Sequence, residues 1–180
     1  MRVITGSARG RKLQSVEGLD TRPTSEKVKE AVFSMIQFEL PGAKVLDLFA
    51  GTGQMGIEAL SRDASLCVFI DTSRAAQEVI KANLATTGLS QKSRVASMEA
   101  EGFLASTKDT FDIVFMDPPY GKGYIAKLLP EVVKKVSDYA TIICEHEGEC
   151  ELPELVGEFS LYRTYRYGKI YITTYKKTND

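Results

Sequence analysis

The chain has 180 residues, with 23 Lys and Arg against 24 Asp and Glu, one His, three Cys, no Trp and 43% hydrophobic residues. That size and composition fit one globular domain, with ordinary apolar content and a net charge of -1 that argue against disorder. No apolar run approaches the roughly 18–20 residues that span a bilayer, and Met1-Arg2-Val3-Ile4-Thr5-Gly6 holds no secretory core, so a cytoplasmic chain without membrane contact is expected.

In chain order, residues 1–22 form a basic arm, and residues 23–180 read as a single domain. Residues 1–29 carry Arg2, Arg9, Arg11, Lys12, Arg22, Lys27 and Lys29 against Glu17, Asp20 and Glu26, which leaves the rest of the chain net negative. Such an arm suits phosphates, although four excess charges are a modest footprint for nucleic acid. Gly6 and Gly10 beside short apolar pairs suggest a small hairpin. Thr24 to Glu39 spaces Val28, Ala31, Val32, Met35, Ile36 and Phe38 for one amphipathic helix, with Pro23 and Pro41-Gly42 as breakers. Apolar runs then recur at Lys44–Phe49, Leu66–Asp71, Arg94–Met98, Phe111–Met116 and Tyr139–Cys144. Helical segments near Gln54–Asp63, Ser73–Thr87, Glu101–Ser106 and Ile125–Val136 separate them, a rhythm that implies a mostly parallel sheet covered on both faces. Phe159 to Tyr175, centred on Tyr167-Gly168-Lys169, reads as an antiparallel hairpin closing one sheet edge and bringing the strands to seven. Cys67, Cys144 and Cys150 lack metal-ligand spacing, so reduced thiols and no metal are expected. Glu145, Glu147, Glu149, Glu151, Glu154 and Glu158 form an acidic stretch expected to face away from any polyanion.

The first sheet strand runs into Asp47-Leu48-Phe49-Ala50-Gly51-Thr52-Gly53-Gln54-Met55-Gly56 and then directly into a helix. Glycines there let a ligand approach backbone that a Cβ would block, and the helix offers its first N–H groups. Asp71, ending the second strand, is placed to accept bonds from ribose hydroxyls. Gly51-x-Gly53-x-x-Gly56 is also the dinucleotide fingerprint, so a nicotinamide-dependent oxidoreductase is a rival. Asp47 separates the two, because a carboxylate suits the cationic amino end of S-adenosylmethionine and repels a pyrophosphate.

The fourth strand leads into Asp117-Pro118-Pro119-Tyr120 at the carboxyl edge of the sheet. Prolines donate no N–H, so this turn offers acceptors only. Asp117 and the Pro118 carbonyl suit the two hydrogens of an exocyclic amine, and Tyr120 suits stacking on the base that carries it.

Asp47-x-Phe49-x-Gly51-x-Gly53 with Asp117-Pro118-Pro119-Tyr120 is similar to the pattern of amino-group methyltransferases. With Arg2-Val3-Ile4-x-Gly6, Arg22-Pro23-Thr24, Gly56-Ile57-Glu58-Ala59 and the Tyr167-Gly168 hairpin, nearly the whole chain resembles the RsmD family. The resemblance implies a Rossmann-like α/β methyltransferase fold and methylation of guanine N2 in 16S ribosomal RNA, within the small subunit or its assembly intermediate. It also implies S-adenosylmethionine as cofactor, and a monomer is expected. By the same resemblance Asp47, Phe49, Ala50, Gly51, Thr52 and Gly53 hold the methionine part, Asp71 the ribose, and Glu99 and Ala100 the adenine. Asp117, Pro118, Pro119 and Tyr120 take the guanine. The charge of the arm, in turn, makes Arg9, Arg11, Lys12 and Arg22, with Thr24, the expected RNA contacts. Asp71 and Glu99 depart from the commoner Glu and Asp, and Lys29 stands where Arg is frequent. A DNA amino-methyltransferase and a non-catalytic RNA-binding module are the other readings.

Overall fold

A computed structural model describes residues 1–18, 24–148 and 150–178. Helix α1 (Glu26–Met35) begins where the Ser25 hydroxyl accepts a hydrogen bond from Val28 N–H, and buries Val28, Val32 and Phe33. It stops earlier than its apolar spacing suggested. Ile36 leaves helical geometry, so Phe38 falls on the following turn and is 91% exposed. Strand β1 (Lys44–Asp47) leads to α2 (Gln54–Ser61), β2 (Leu66–Ile70) and α3 (Arg74–Thr87). β3 (Ser93–Ala96), α4 (Ala100–Ser106), β4 (Phe111–Met116) and α5 (Tyr124–Val132) follow. The chain then runs through β5 (Val136–Glu147), β6 (Leu155–Val156), β7 (Phe159–Tyr167) and β8 (Ile170–Lys177).

These strands form one sheet in the order β3-β2-β1-β4-β5-β8-β7-β6. The first five are parallel; β8 runs antiparallel to β5, and β7 antiparallel to β8. The seven expected strands are joined by an eighth, β6, whose two residues pair with Ser160 and Phe159. β5 also starts before Tyr139, because its first residue pairs with Phe111 ahead of a bulge. Alternate residues feed two cores. Val45, Ile113 and Phe115 face Phe33, Ile57 and Ile80 on the side of α1–α3, while Leu46, Val114 and Met116 face Leu104, Leu128 and Val132 under α4 and α5.

The arm is not a free appendage. Arg2 and Lys12 form one antiparallel bridge, and Val3, Ala8 and Leu13 are buried in the core beneath α1 and α2. Arg22 and Pro23 lie outside the described residues. Among the described residues no helix is long and apolar enough to cross a membrane. Cys67 and Cys144 are buried and Cys150 is exposed, all three as free thiols.

Close packing also limits α2. A Cβ on Gly56 would lie 2.3 Å from the Phe69 ring and 2.5 Å from Cys67 Sγ, both in the core. Gly56→Ala is therefore expected to destabilise the protein by about 1–3 kcal/mol through overpacking. Thermal unfolding should show a melting temperature lower by roughly 2–4 °C per kcal/mol, and an unchanged value would contradict the packing argument.

Candidate active site

β1 pairs with β2 on one side and with β4 on the other, so the winding of the sheet reverses between β1 and β4. In open α/β sheets the crevice at the carboxyl ends of such strands is where ligands sit. Both singled-out motifs converge there: Asp47 ends β1 and Asp117 follows the last residue of β4.

The glycine turn is held from several directions. Ala50 N–H donates to the Ile70 carbonyl at 2.9 Å, and Gly53 N–H donates to the Ala50 carbonyl at 2.7 Å. The Thr52 carbonyl accepts from Asn83 Nδ2 at 3.0 Å. Gly51 N–H donates to Asp71 Oδ2 at 2.9 Å, and Ser73 N–H donates to Asp71 Oδ1 at 2.8 Å. Asp71 therefore braces the turn before any ligand arrives, and each oxygen keeps a further lone pair for a hydroxyl. Gly51 has φ 56, and a Cβ built on it would meet no protein atom within 4 Å. The space before it is open, as a backbone-lined cradle requires.

Asp47 is buried, and its Oδ2 accepts from Gly56 N–H at 3.1 Å, so part of its role is to anchor the first turn of α2. Burial pushes its carboxyl up to about 7; the Gly56 amide acts in the opposite direction, and the Asp71 charge raises it further. No other hydrogen bond to this carboxylate occurs among the described residues. A buried, under-satisfied carboxylate beside an open glycine turn fits a cationic group. Phe49 packs at 5.9 Å between ring centroids on Tyr124, and Ala50 is buried. Glu99 is exposed at the residue before α4 with no capping bond of its own, and Ala100 behind it is buried. They flank the carboxyl end of β3, where Asp71 N–H donates to the Ala96 carbonyl at 3.4 Å.

At the second motif Pro118 is buried and Pro119 and Tyr120 are exposed. Tyr120 Oη donates to Glu145 Oε1 at 3.1 Å, which fixes the ring, and Thr24 Oγ1 donates to Glu145 Oε2 at 3.0 Å. The Thr24 carbonyl accepts in turn from Gln54 Nε2 at 3.5 Å, so Thr24 links the first turn of α2 to the Asp-Pro-Pro-Tyr segment. Burial pushes the Asp117 carboxyl well above the ordinary range, and the charges of Glu145 and Asp47 add to the shift. Glu145 is raised by burial as well, against the two hydrogen bonds that favour its charged form. The Glu145 charge thus opposes ionisation of Asp117. Tyr120 is also held protonated, by burial first and then by Asp117 and Glu145. Beside this pair Pro118, Pro119, Tyr120, Tyr124, Glu145 and His146 line a cleft of about 180 Å³.

The sequence reading assigned Glu145 to the acidic stretch facing away from a polyanion, yet it stands in the site. No local signal marked it: the register that pairs Met116 with Cys144 sets Asp117, just past the end of β4, level with Glu145 inside β5. Asn83 and Glu58 were missed too. Asn83 holds Gln14 through both amide groups as well as Thr52, and Glu58 accepts from Ile4 and Thr5 N–H. Of the basic arm residues, Arg9, Arg11 and Lys12 are exposed. The arm runs along α2. Ala8 N–H donates to Ser61 Oγ at the end of that helix farther from the glycine turn, so Arg9 lies about one α2 length, roughly 12 Å, from the crevice.

Residues 1–176 match the family described as "Conserved hypothetical protein 95". The chain is 42% identical over 182 residues to the protein YlbH of Bacillus subtilis (strain 168), covering 98% of this chain and 99% of that one. It is 34% identical over 179 residues to the ribosomal RNA small subunit methyltransferase D of Escherichia coli (strain K12), covering 98% and 90% respectively. The solved structure of yhhF from Escherichia coli superposes with a TM-score of 0.88 at 35% identity, covering 98% of this chain and 97% of that one.

Proposed function

The chain belongs to the RsmD-like family of S-adenosylmethionine-dependent rRNA methyltransferases, and from that premise we propose that it methylates the exocyclic N2 amine of a guanine in 16S ribosomal RNA. The partner is this RNA within the small ribosomal subunit or its assembly intermediate, and the protein acts as a monomer. One observation carries the reading: the acceptor-only Asp117–Tyr120 turn, with Tyr120 anchored on Glu145, opens at the same switch point as Asp47 and the open Gly51 cradle.

Asp47, Phe49, Ala50, Gly51, Thr52 and Gly53 hold the methionine part of the cofactor, Asp71 its ribose, and Glu99 with Ala100 its adenine. Bound there, S-adenosylmethionine supplies an electrophilic methyl group on a positively charged sulfur. Asp117 and the Pro118 carbonyl each accept one hydrogen of the guanine amine, Pro119 stiffens the turn, and Tyr120 stacks on the unstacked base. Fixing both N–H bonds turns the nitrogen lone pair towards the methyl group, and the Asp117 carboxylate favours the charge that builds on nitrogen. The surplus proton leaves to Asp117 or to water. Arg9, Arg11 and Lys12 of the arm contact RNA phosphates, and Thr24 holds the target side of the cleft. Arg22, expected to do the same as the arm arginines, lies outside the described residues.

The raised Asp47 carboxyl makes cofactor affinity depend on pH. Burial pushes its carboxyl far above the ordinary carboxylate range, to about 7, so the free protein is increasingly protonated there as pH falls through 7. A cationic amino group selects the ionised form, so affinity should fall up to tenfold per pH unit below about 7 and flatten above it. Above about 8 it should fall again as the ligand's own α-amino group loses its proton. Calorimetry at pH 6 in two buffers of different ionisation enthalpy should report proton release on binding, and Asp47→Asn should remove it. Binding without proton release would detach Asp47 from the amino group.

The decisive experiment supplies methyl-labelled S-adenosylmethionine with small subunits lacking the modification, deproteinised 16S ribosomal RNA and duplex DNA in parallel. N2-methylguanosine at one site in subunits or RNA is expected. Label on another amine, or on DNA alone, would overturn the substrate assignment.

A further inference from the structure

Residues 159–177, the β7–β8 hairpin, contain Arg163, Arg166, Lys169, Lys176 and Lys177 with five tyrosines and no acidic residue. Lys176 pairs with Glu39, and Lys177 with Asp138 and Glu158, at the end of the hairpin away from the cleft. Among the described residues Arg166 and Lys169 have no carboxylate partner, and both are exposed. The register puts them at the other end. β8 runs antiparallel to β5 with Ile170 opposite Glu147 and Tyr171 opposite His146, so the Tyr167–Ile170 turn stands at the same sheet rim as Glu145 and Asp117.

A continuous stack leads from the cleft to this rim. His146 lines the cleft, and its ring lies 5.5 Å from that of Tyr171 at 17°. Arg166 pairs with Tyr171 across β7–β8, its Cζ 5.7 Å from the ring centroid. His146 is locked: Nδ1 lies 3.2 Å from the Gly148 carbonyl, which can only accept, so Nε2 accepts from Thr173 Oγ1 at 2.9 Å. Arg166 Nε donates to the Gly168 carbonyl at 3.0 Å, which leaves the two terminal nitrogens of a preoriented guanidinium pointing away from that bond. Two strand spacings separate His146 from Arg166, about 10 Å, within reach of the phosphates that flank a base held in the cleft.

We propose that Arg166 and Lys169 form a phosphate-binding rim for the RNA strand beside the target nucleotide, with the His146–Tyr171–Arg166 stack fixing its geometry. The inference rests on the RNA-methyltransferase reading and extends it to a surface separate from the arm. Arg9 sits at the far end of α2, whereas this rim adjoins the cleft, so the hairpin adds a second basic surface beside an extruded base.

The test measures binding of deproteinised 16S ribosomal RNA against salt concentration, with methyl-transfer kinetics on the same RNA. The Arg166→Gln/Lys169→Gln variant should lower the slope of log affinity against log salt by about 1.4, the value for two single-strand phosphates. It should raise the RNA KM several-fold while kcat and cofactor affinity stay within about twofold, a split that loss of fold would not produce. Lys92→Gln/Lys108→Gln removes two exposed charges near the amino ends of β3 and β4 and should leave the slope unchanged. If the rim variant matches wild type, or both variants lose equally, the rim is overturned while methyl transfer by the wild type keeps the function standing. If the wild type neither binds nor methylates RNA, both readings fall together.

Discussion

Replacing Asp117 with alanine is expected to lower methyl transfer by about 10³-fold or more, the range set by removing a positioned acceptor and its charge from a reacting group. Cofactor affinity should stay within a few-fold, because the Gly51–Gly53 turn and Asp71 are braced independently of the target turn. Asp117→Asn keeps one acceptor oxygen without the charge and should retain part of the rate. The pH profile separates these roles. Burial and the Glu145 charge raise the Asp117 carboxyl, so the wild-type rate should climb with pH as Asp117 loses its proton. Asp117→Asn should flatten that limb. A wild-type rate in the alanine variant would remove Asp117 from the chemistry.

Glu58→Ala is expected to be the most damaging substitution outside the crevice. Its carboxylate is fully buried, 3.4 Å from Lys29 Nζ and 3.0 Å from Arg62 Nε, and accepts the N–H groups of Ile4 and Thr5 at 2.9 Å each. Lys29 is itself buried, with Nζ donating to the Arg2 carbonyl at 2.6 Å, and burial lowers its pKa despite the Glu58 charge. Removing the carboxylate strands two arm amides without partners and leaves the buried ammonium uncompensated, with only the Arg2 carbonyl to accept from it, at a cost of about 3–5 kcal/mol. Denaturant unfolding should show the loss, and hydrogen exchange should show Ile4 and Thr5 losing protection before the sheet does. Glu58→Gln, which keeps one acceptor oxygen, should cost less. Equal protection in the alanine variant would mean that apolar packing of Val3, Ala8 and Leu13 holds the arm unaided.

These expectations show where local pattern stopped being informative. The apolar runs and the helices between them were legible because a doubly covered parallel sheet demands continuous burial from its strands and one apolar face from each helix. Asp47, Gly51, Asp71 and Asp117 were legible for a related reason: each ends a strand or opens a turn, and strand ends in such sheets converge on one crevice. Phe38 misled, since a terminal apolar residue matches the helical spacing whether or not the backbone is still helical when it reaches it.

Glu145 was hidden by composition. In a row of glutamates it reads as solvated surface, and only the β4–β5 register sets it level with Asp117 and under the Tyr120 hydroxyl. The hairpin was hidden in the same way. Its tyrosines and threonines read as strand formers, whereas the pairing of Lys176 and Lys177 at one end, and the stacking of Arg166 on Tyr171 at the other, divide its charge into a structural end and an open one.

By itself the sequence determined the class of fold, the order of its elements, the glycine turn after β1 and the Asp-Pro-Pro-Tyr turn after β4, because each depends on residues close together in the chain. The tertiary structure alone decided that the arm is welded to α2 through Glu58, Ser61 and Asn83, that Glu145 positions Tyr120, and that the open basic rim adjoins the cleft. Those outcomes depend on groups 25 to 69 residues apart meeting across strand registers and helix faces, which no local periodicity encodes.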